Sequence, residues 1–259
     1  MSSLIQCVLA FCVPAVILAK YCDNKSFNWL YLKNAPSFKS IIGVILIYIT
    51  SLPAMEWLIE WNAGLHLPQS MQSLEKVLRA WEESGESITT ILLSAQGILN
   101  LIIGILVIGV VTGFSEELFF RGALQGIFTR ANIRITLAVW LTAIIFSTMH
   151  FQFFGFVPRL IMGVFFGYLL VWSRSLWVPI FAHALNNSLV VYTAWTMGGE
   201  NLELSNQNTS MFPENLILVL ASVLTTVLIL IFFRDFLFKS DKGYNKSWRR
   251  KQQPRVIER

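Results

Sequence analysis

The feature that most constrains this chain is its succession of apolar runs, at roughly 3–19, 41–59, 91–130, 135–150, 157–172, 176–195 and 214–233. About 20 residues at 1.5 Å rise cross the hydrocarbon core of a bilayer. Lipid offers no partner to a backbone N–H or C=O, so such runs fold as helices. The expected fold is an all-α, polytopic transmembrane helical bundle with seven crossings. The third run is too long for one upright helix, and a break or bend near Thr112–Gly113 would allow eight. Charged residues make up only 14% of the chain, against roughly 25% in soluble domains, so an ordinary soluble domain is excluded. The net charge of +5 sits beside the apolar runs and reads as a topology signal, with no nucleic-acid partner implied.

The linkers alternate in sign. Lys20, Lys25, Lys33 and Lys39 follow the first run, and Arg130, Arg134 and Arg174 follow the third and fifth. The 60–90 linker is acidic, with Glu60, Glu75, Glu82, Glu83 and Glu86, and the 196–214 loop is flanked by Glu200, Glu203 and Glu214. The tail is basic, from Lys239 to Lys251. The positive-inside rule then places the N-terminus out and the C-terminus in the cytoplasm, and seven crossings satisfy every linker.

The start, MSSLIQCVLAFCVPAVILAK, has its lysine after the apolar run and fits a first membrane helix better than a cleaved signal peptide. Cys7, Cys12 and Cys22 have no paired spacing and read as lipid-facing apolar side chains. In MQSLEKVLRAWEESG, Met71, Leu74, Val77, Leu78 and Trp81 recur at helical spacing, which predicts an amphipathic helix over 70–84 on the outer surface. Four regions result: 1–90, with the first helices and that linker; a core at 91–195; 196–238, with an outer loop and the last helix; and a basic, disordered tail at 239–259.

Ionisable residues inside the apolar runs carry the functional signal, because lipid makes them costly. FSEELFFRGAL holds Glu116, Glu117 and Arg121; FSTMHF holds His150; FAHALNNSL holds His183 and Asn187. Glu117 and Arg121 stand at i, i+4, as do His183 and Asn187, so each pair shares a helix face. Glu116 is rotated about 100° from Glu117 and has no local partner. Counting about 1.5 Å per residue from the nearest arginines, Glu116 and His150 lie roughly 20–25 Å deep and can meet. His183 comes out shallower, at about 13 Å. His66, in the acidic linker, reads as solvated, and Asn186 lies off the face of His183. Gly109/Gly113, Gly122/Gly126 and Gly163/Gly167 make GxxxG spacings that permit close helix approach. Arg159 either anchors at the headgroups or faces a cavity.

Taken in order, EExxxR (Glu116, Glu117, Arg121), FxxxH (Phe146, His150) and HxxxN (His183, Asn187) closely resemble the CPBP family. These are the CAAX-protease and bacteriocin-processing (Abi) intramembrane proteases, which include the Rce1-type prenyl-protein endopeptidases. The resemblance covers about residues 95–195. It implies an intramembrane endopeptidase in which Glu116 and His150 hold the hydrolytic water. His183 and Asn187 would then supply oxyanion donors, with Glu117 and Arg121 in support. A zinc ion, if present, would fall to Glu116, His150 and His183. HExxH is absent and Asn187 is a poor zinc ligand, so the preferred reading is metal-free with no cofactor required, zinc being the alternative. The expected partners are the bilayer and a peptide or protein substrate in or at it, with a bacterial precursor favoured over a prenylated CaaX protein. The expected location is a bacterial plasma membrane. The competing readings are a non-catalytic peptide-binding or bacteriocin-immunity protein of the same fold, and a proton-coupled transporter. The second is weakened because the chain shows no internal repeat.

Overall fold

The computed structural model describes residues 8–22, 29–93, 97–197 and 215–238, and among them there is no strand. Helix α1 runs Val8–Cys22, α2 Phe38–Ala63, α3 Gln72–Leu93 and α4 Ile98–Arg130. Helix α5 runs Ile135–Thr148, α6 Phe156–Ser173, α7 Trp177–Met197 and α8 Leu216–Phe238. The expected disordered tail and most of the 196–214 loop lie outside the described residues. Among the described residues three helices are long and apolar enough to cross a membrane, at Phe38–Ala63, Ile98–Arg130 and Phe153–Ser173; α1, α5 and α8 contribute shorter apolar stretches. The chain is an integral membrane protein whose outward faces carry exposed apolar side chains such as Ile17, Leu106, Ile144 and Ile231.

Of the break or bend expected near Thr112–Gly113, no break is seen. Helix α4 stays continuous through Gly113, which keeps helical angles. It changes pitch instead, with π-helical turns over Ile105–Thr112 and Leu118–Leu124 flanking an α-helical turn at Gly113–Glu117. A π turn inserts a residue without breaking the backbone ladder, and such turns collect at functional sites. The glycines explain how closely α4 then sits on its neighbour. A Cβ at Gly113 would lie 3.1 Å from the Ala184 amide nitrogen, and one at Gly109 only 2.3 Å from Ser188 Oγ. Gly163 and Gly167 do the same for α6 against Ala143 and Val139 of α5. The third pair differs from the expectation of helix–helix packing, since Gly122 receives the side chains of Leu30 and Leu176.

Around this nucleus, α1 packs along the second half of α4, with Ala15, Ala19, Trp29, Leu30, Leu118 and Ala123 buried together. Cys12 faces inward, its thiol donating to Ser115 Oγ at 3.3 Å, which corrects the lipid-facing expectation for that cysteine. Helix α2 packs on α6 and α7 through Val44 and Ile47 and on α8. Pro53 lies inside α2 and has no N–H to give. One residue on, the Ser222 hydroxyl of α8 enters the ladder, accepting from the Ala54 amide at 3.2 Å and donating to the Thr50 carbonyl at 2.6 Å.

Helix α3 is amphipathic as expected, and it is its polar face that docks. Met71, Leu74, Val77 and Trp81 are exposed. On the opposite face Arg79 lies 3.8 Å over the Phe154 ring, and Glu82 accepts from the Phe154 amide at 3.2 Å. His66 is exposed yet bonded to Glu75 at 2.9 Å. That bond, the Leu67 amide and Arg79 hold the Glu75 carboxyl far below the usual carboxylate range, at about 2.

Candidate active site

The buried charges of α4 divide between two directions. Glu117 Oε1 accepts from Arg121 Nη1 at 2.6 Å, one turn on, and both side chains are fully buried. The same oxygen accepts from His183 Nδ1 at 2.9 Å, on α7. Arg121 extends the chain of bonds to α6, donating Nη2 to the Gly163 carbonyl at 3.1 Å. Its guanidinium stacks over Phe146 and Phe166, at 4.5 and 5.4 Å from the ring centroids. A lone buried cation would be costly; this one has a carboxylate, a carbonyl and aromatic faces.

Glu116 points elsewhere. Its Oε2 is buried without a hydrogen-bond partner and lies 3.8 Å from Nε2 of both His150 and His183. Helix α5 ends at Thr148, and the following turn, closed by Phe151 in the left-handed region at φ 54°, presents His150. His150 Nδ1 faces the Phe146 carbonyl at 2.8 Å. The His183 ring is stacked 5.0 Å from Phe166.

The partners fix the tautomers. A carbonyl and an Arg-paired carboxylate only accept, so each Nδ1 carries a proton, and a ring in its neutral form turns an Nε2 lone pair inward. Two imidazole lone pairs and a carboxylate oxygen thus converge on one small volume. Acceptors that meet in this way need protons or a cation between them, which is the environment that binds and activates a water molecule.

The zinc alternative can be tested on the same atoms. Among the described residues no trio of His, Cys, Asp or Glu is drawn in tightly enough to grip a metal ion. The 3.8 Å pairs are also wider than the roughly 3.4 Å between two ligands of a tetrahedral zinc. The donor types are those of a His2Glu site, and each ring has the outward Nδ1–H bond typical of such ligands. The chemistry fits zinc, with Glu116, His150 and His183 as its holders once they close up slightly.

The expected site residues therefore meet, apart from Asn187. Its amide donates to the Ile108 carbonyl in the first π turn, at 3.2 Å, tying α7 to α4. Asn186 donates to Asn187 and accepts from Tyr48 of α2. The depth estimate that left His183 short is corrected, because His183 lies as near Glu116 as His150 does. Sequence reasoning missed the Glu117–His183 bond. The available signal was that one ion pair leaves a carboxylate with unused acceptor positions. Arg159, expected at either the headgroups or a cavity, donates from Nη2 to Gln152 Oε1, its guanidinium and Glu82 both lying beside Gly155.

Helices α4 to α7 thus enclose a buried glutamate–histidine centre inside a membrane protein. Residues 98–189 match the family model described as type II CAAX prenyl endopeptidase Rce1-like, so this stretch is similar to the CPBP/CAAX proteases. The matched stretch holds Glu116, Glu117, Arg121, His150, His183 and Asn187. No curated protein and no solved structure matches the chain.

Proposed function

We propose that this protein is an intramembrane endopeptidase that hydrolyses a peptide bond near the membrane interface with a water activated by Glu116 and His150. The observation that carries the reading is the unpartnered, buried Glu116 Oε2 facing two Nε2 lone pairs at 3.8 Å. Water held there gives a proton to Glu116 as its oxygen bonds to the carbonyl carbon, and the carbonyl π pair moves onto oxygen. When the tetrahedral intermediate collapses, the C–N bond breaks and the proton on Glu116 passes to the leaving amine. Glu117 and Arg121 keep His183 in its tautomer and orientation. Asn187, through its second amide hydrogen, is a family-type oxyanion donor, and His183 joins it once its Nε2 carries a proton.

No cofactor is required on this reading. Zinc is the second reading, favoured by the convergence of three acceptors; bound there it would supply Lewis-acid polarisation of the water. Metal analysis of purified protein, with activity after chelation, separates the two. The substrate class we favour is a bacterial peptide or protein precursor at the plasma membrane.

Glu116→Ala and His150→Ala should each lower cleavage by about 10²–10⁴-fold, with folded yield retained. The measurement is comparative peptidomics of membranes carrying wild-type or variant protein. Unchanged product peptides in both variants would sink the reading.

A further inference from the structure

Asn62 stands in the last turn of α2 beside an exposed Trp61, yet it is only 1% exposed itself. A polar side chain enclosed in this way needs partners at both ends of its amide. Asn62 finds both on the chain that follows α5. Its Nδ2 donates to the Phe153 carbonyl at 3.3 Å, and its Oδ1 accepts from the Val157 amide at 2.9 Å. Val157 lies in the first turn of α6, where backbone amides have no acceptor within the helix. The residue in front of α6 is Gly155, which has no side chain to cap with, and Pro158 has no N–H to satisfy. The cap of α6 therefore comes from α2. The same connection is pinned twice more. Glu82 of α3 accepts from the Phe154 amide at 3.2 Å, and Ser147 of α5 donates to the Phe156 carbonyl at 2.8 Å. His150 belongs to this connection and to neither helix, since α5 ends at Thr148 and α6 starts at Phe156. The bond to the Phe146 carbonyl sets the angle of its ring, while the path of the turn sets where its backbone lies.

We propose that Asn62 is a positioning residue for His150: by holding Phe153 and Val157 it docks the α5–α6 turn on α2 and keeps His150 Nε2 at Glu116. The role rests on the endopeptidase reading. It also places part of the support of the site ahead of residues 98–189, the stretch that matches the family model.

The test uses the full chain in detergent with isotope-labelled histidine, whose ring signals in the magnetic resonance spectrum come from only three residues. Single His→Ala variants assign them. In membranes, the same proteins are scored for the rate at which product peptides missing from Glu116→Ala appear. Asn62→Leu removes both bonds at similar volume. A misplacement of about 1 Å can cost about 10²-fold in rate. Asn62→Leu should therefore lose roughly 10–100-fold and move the His150 signal while the His183 signal stays in place. Adding Gly155→Ser gives α6 a cap of its own, at a position where a Cβ meets nothing closer than 3.4 Å. This double variant should regain melting temperature yet stay slow, with the His150 signal still displaced; it carries the comparison if Asn62→Leu alone does not fold. If Asn62→Leu matches the wild-type rate, or slows with the His150 signal unmoved, the Asn62 assignment alone falls. If the double variant regains rate together with melting temperature, Asn62 is a helix cap and nothing more, and the assignment falls again. If wild-type membranes hold no product that Glu116→Ala lacks, the endopeptidase reading fails and takes Asn62 with it.

Discussion

Glu117 does two jobs through one oxygen, and they can be separated. It neutralises Arg121 in a fully buried pair, and it anchors His183. Removing one partner of a buried ion pair strands the other and typically costs about 3–5 kcal/mol, whereas replacing both with apolar groups of similar size is often neutral. Glu117→Ala should therefore destabilise the protein by roughly that amount. The double variant Glu117→Leu/Arg121→Met should regain most of the melting temperature and still fail to cleave, because the His183 ring has lost its anchor. Thermal unfolding and turnover on the same preparations check this; a double variant both stable and active would show that the anchor is dispensable. The ion pair was legible in the sequence because both ends lie on one helix at a fixed spacing. The His183 bond was not, since it depends on how closely α4 and α7 approach.

That approach is a property of the elements. Straight helices measured at 1.5 Å per residue put His183 too shallow, because the estimate had no means of including the π turns of α4 or the glycine contacts on α7. The glycine spacing was visible, but its partners were not: Gly109 meets Ser188 and Gly113 meets Ala184, while Gly122 meets a loop residue. Helix periodicity also found α3 but left open which of its faces would dock. At Gly109 the obstructing atom of a Cβ is Ser188 Oγ at 2.3 Å, with Ser188 Cβ at an ordinary 3.4 Å. Gly109→Ala should thus cost about 1–3 kcal/mol by overpacking, and Ser188→Ala in the same chain should return most of it. Melting curves of the single and double variants give the coupling. Additive losses would mean that the contact is relieved by another route.

At the scale of the whole molecule, the alternation of linker charge was the clearest topological signal, and among the described residues helix length and hydropathy single out three candidate crossings. The orientation proposed from the charges, N-terminus out and C-terminus in with an odd number of crossings, makes the acidic 60–90 and 196–214 segments external. Cysteine labelling with an impermeant reagent should mark Glu86→Cys and Glu203→Cys in intact cells, and Lys242→Cys only after lysis, in a background with the native cysteines changed to serine. Labelling of Lys242→Cys in intact cells would reverse the orientation. The hydroxyl of Ser222 standing in the ladder of α2 bears on time as well as space. Ser222 lies 168 residues along the chain from Ala54, so the second helix reaches its final bonding only after residue 222 has been synthesised. Until then Thr50 and Ala54 must find other partners, and the ribosome delivers the last helix as the part that finishes an early one.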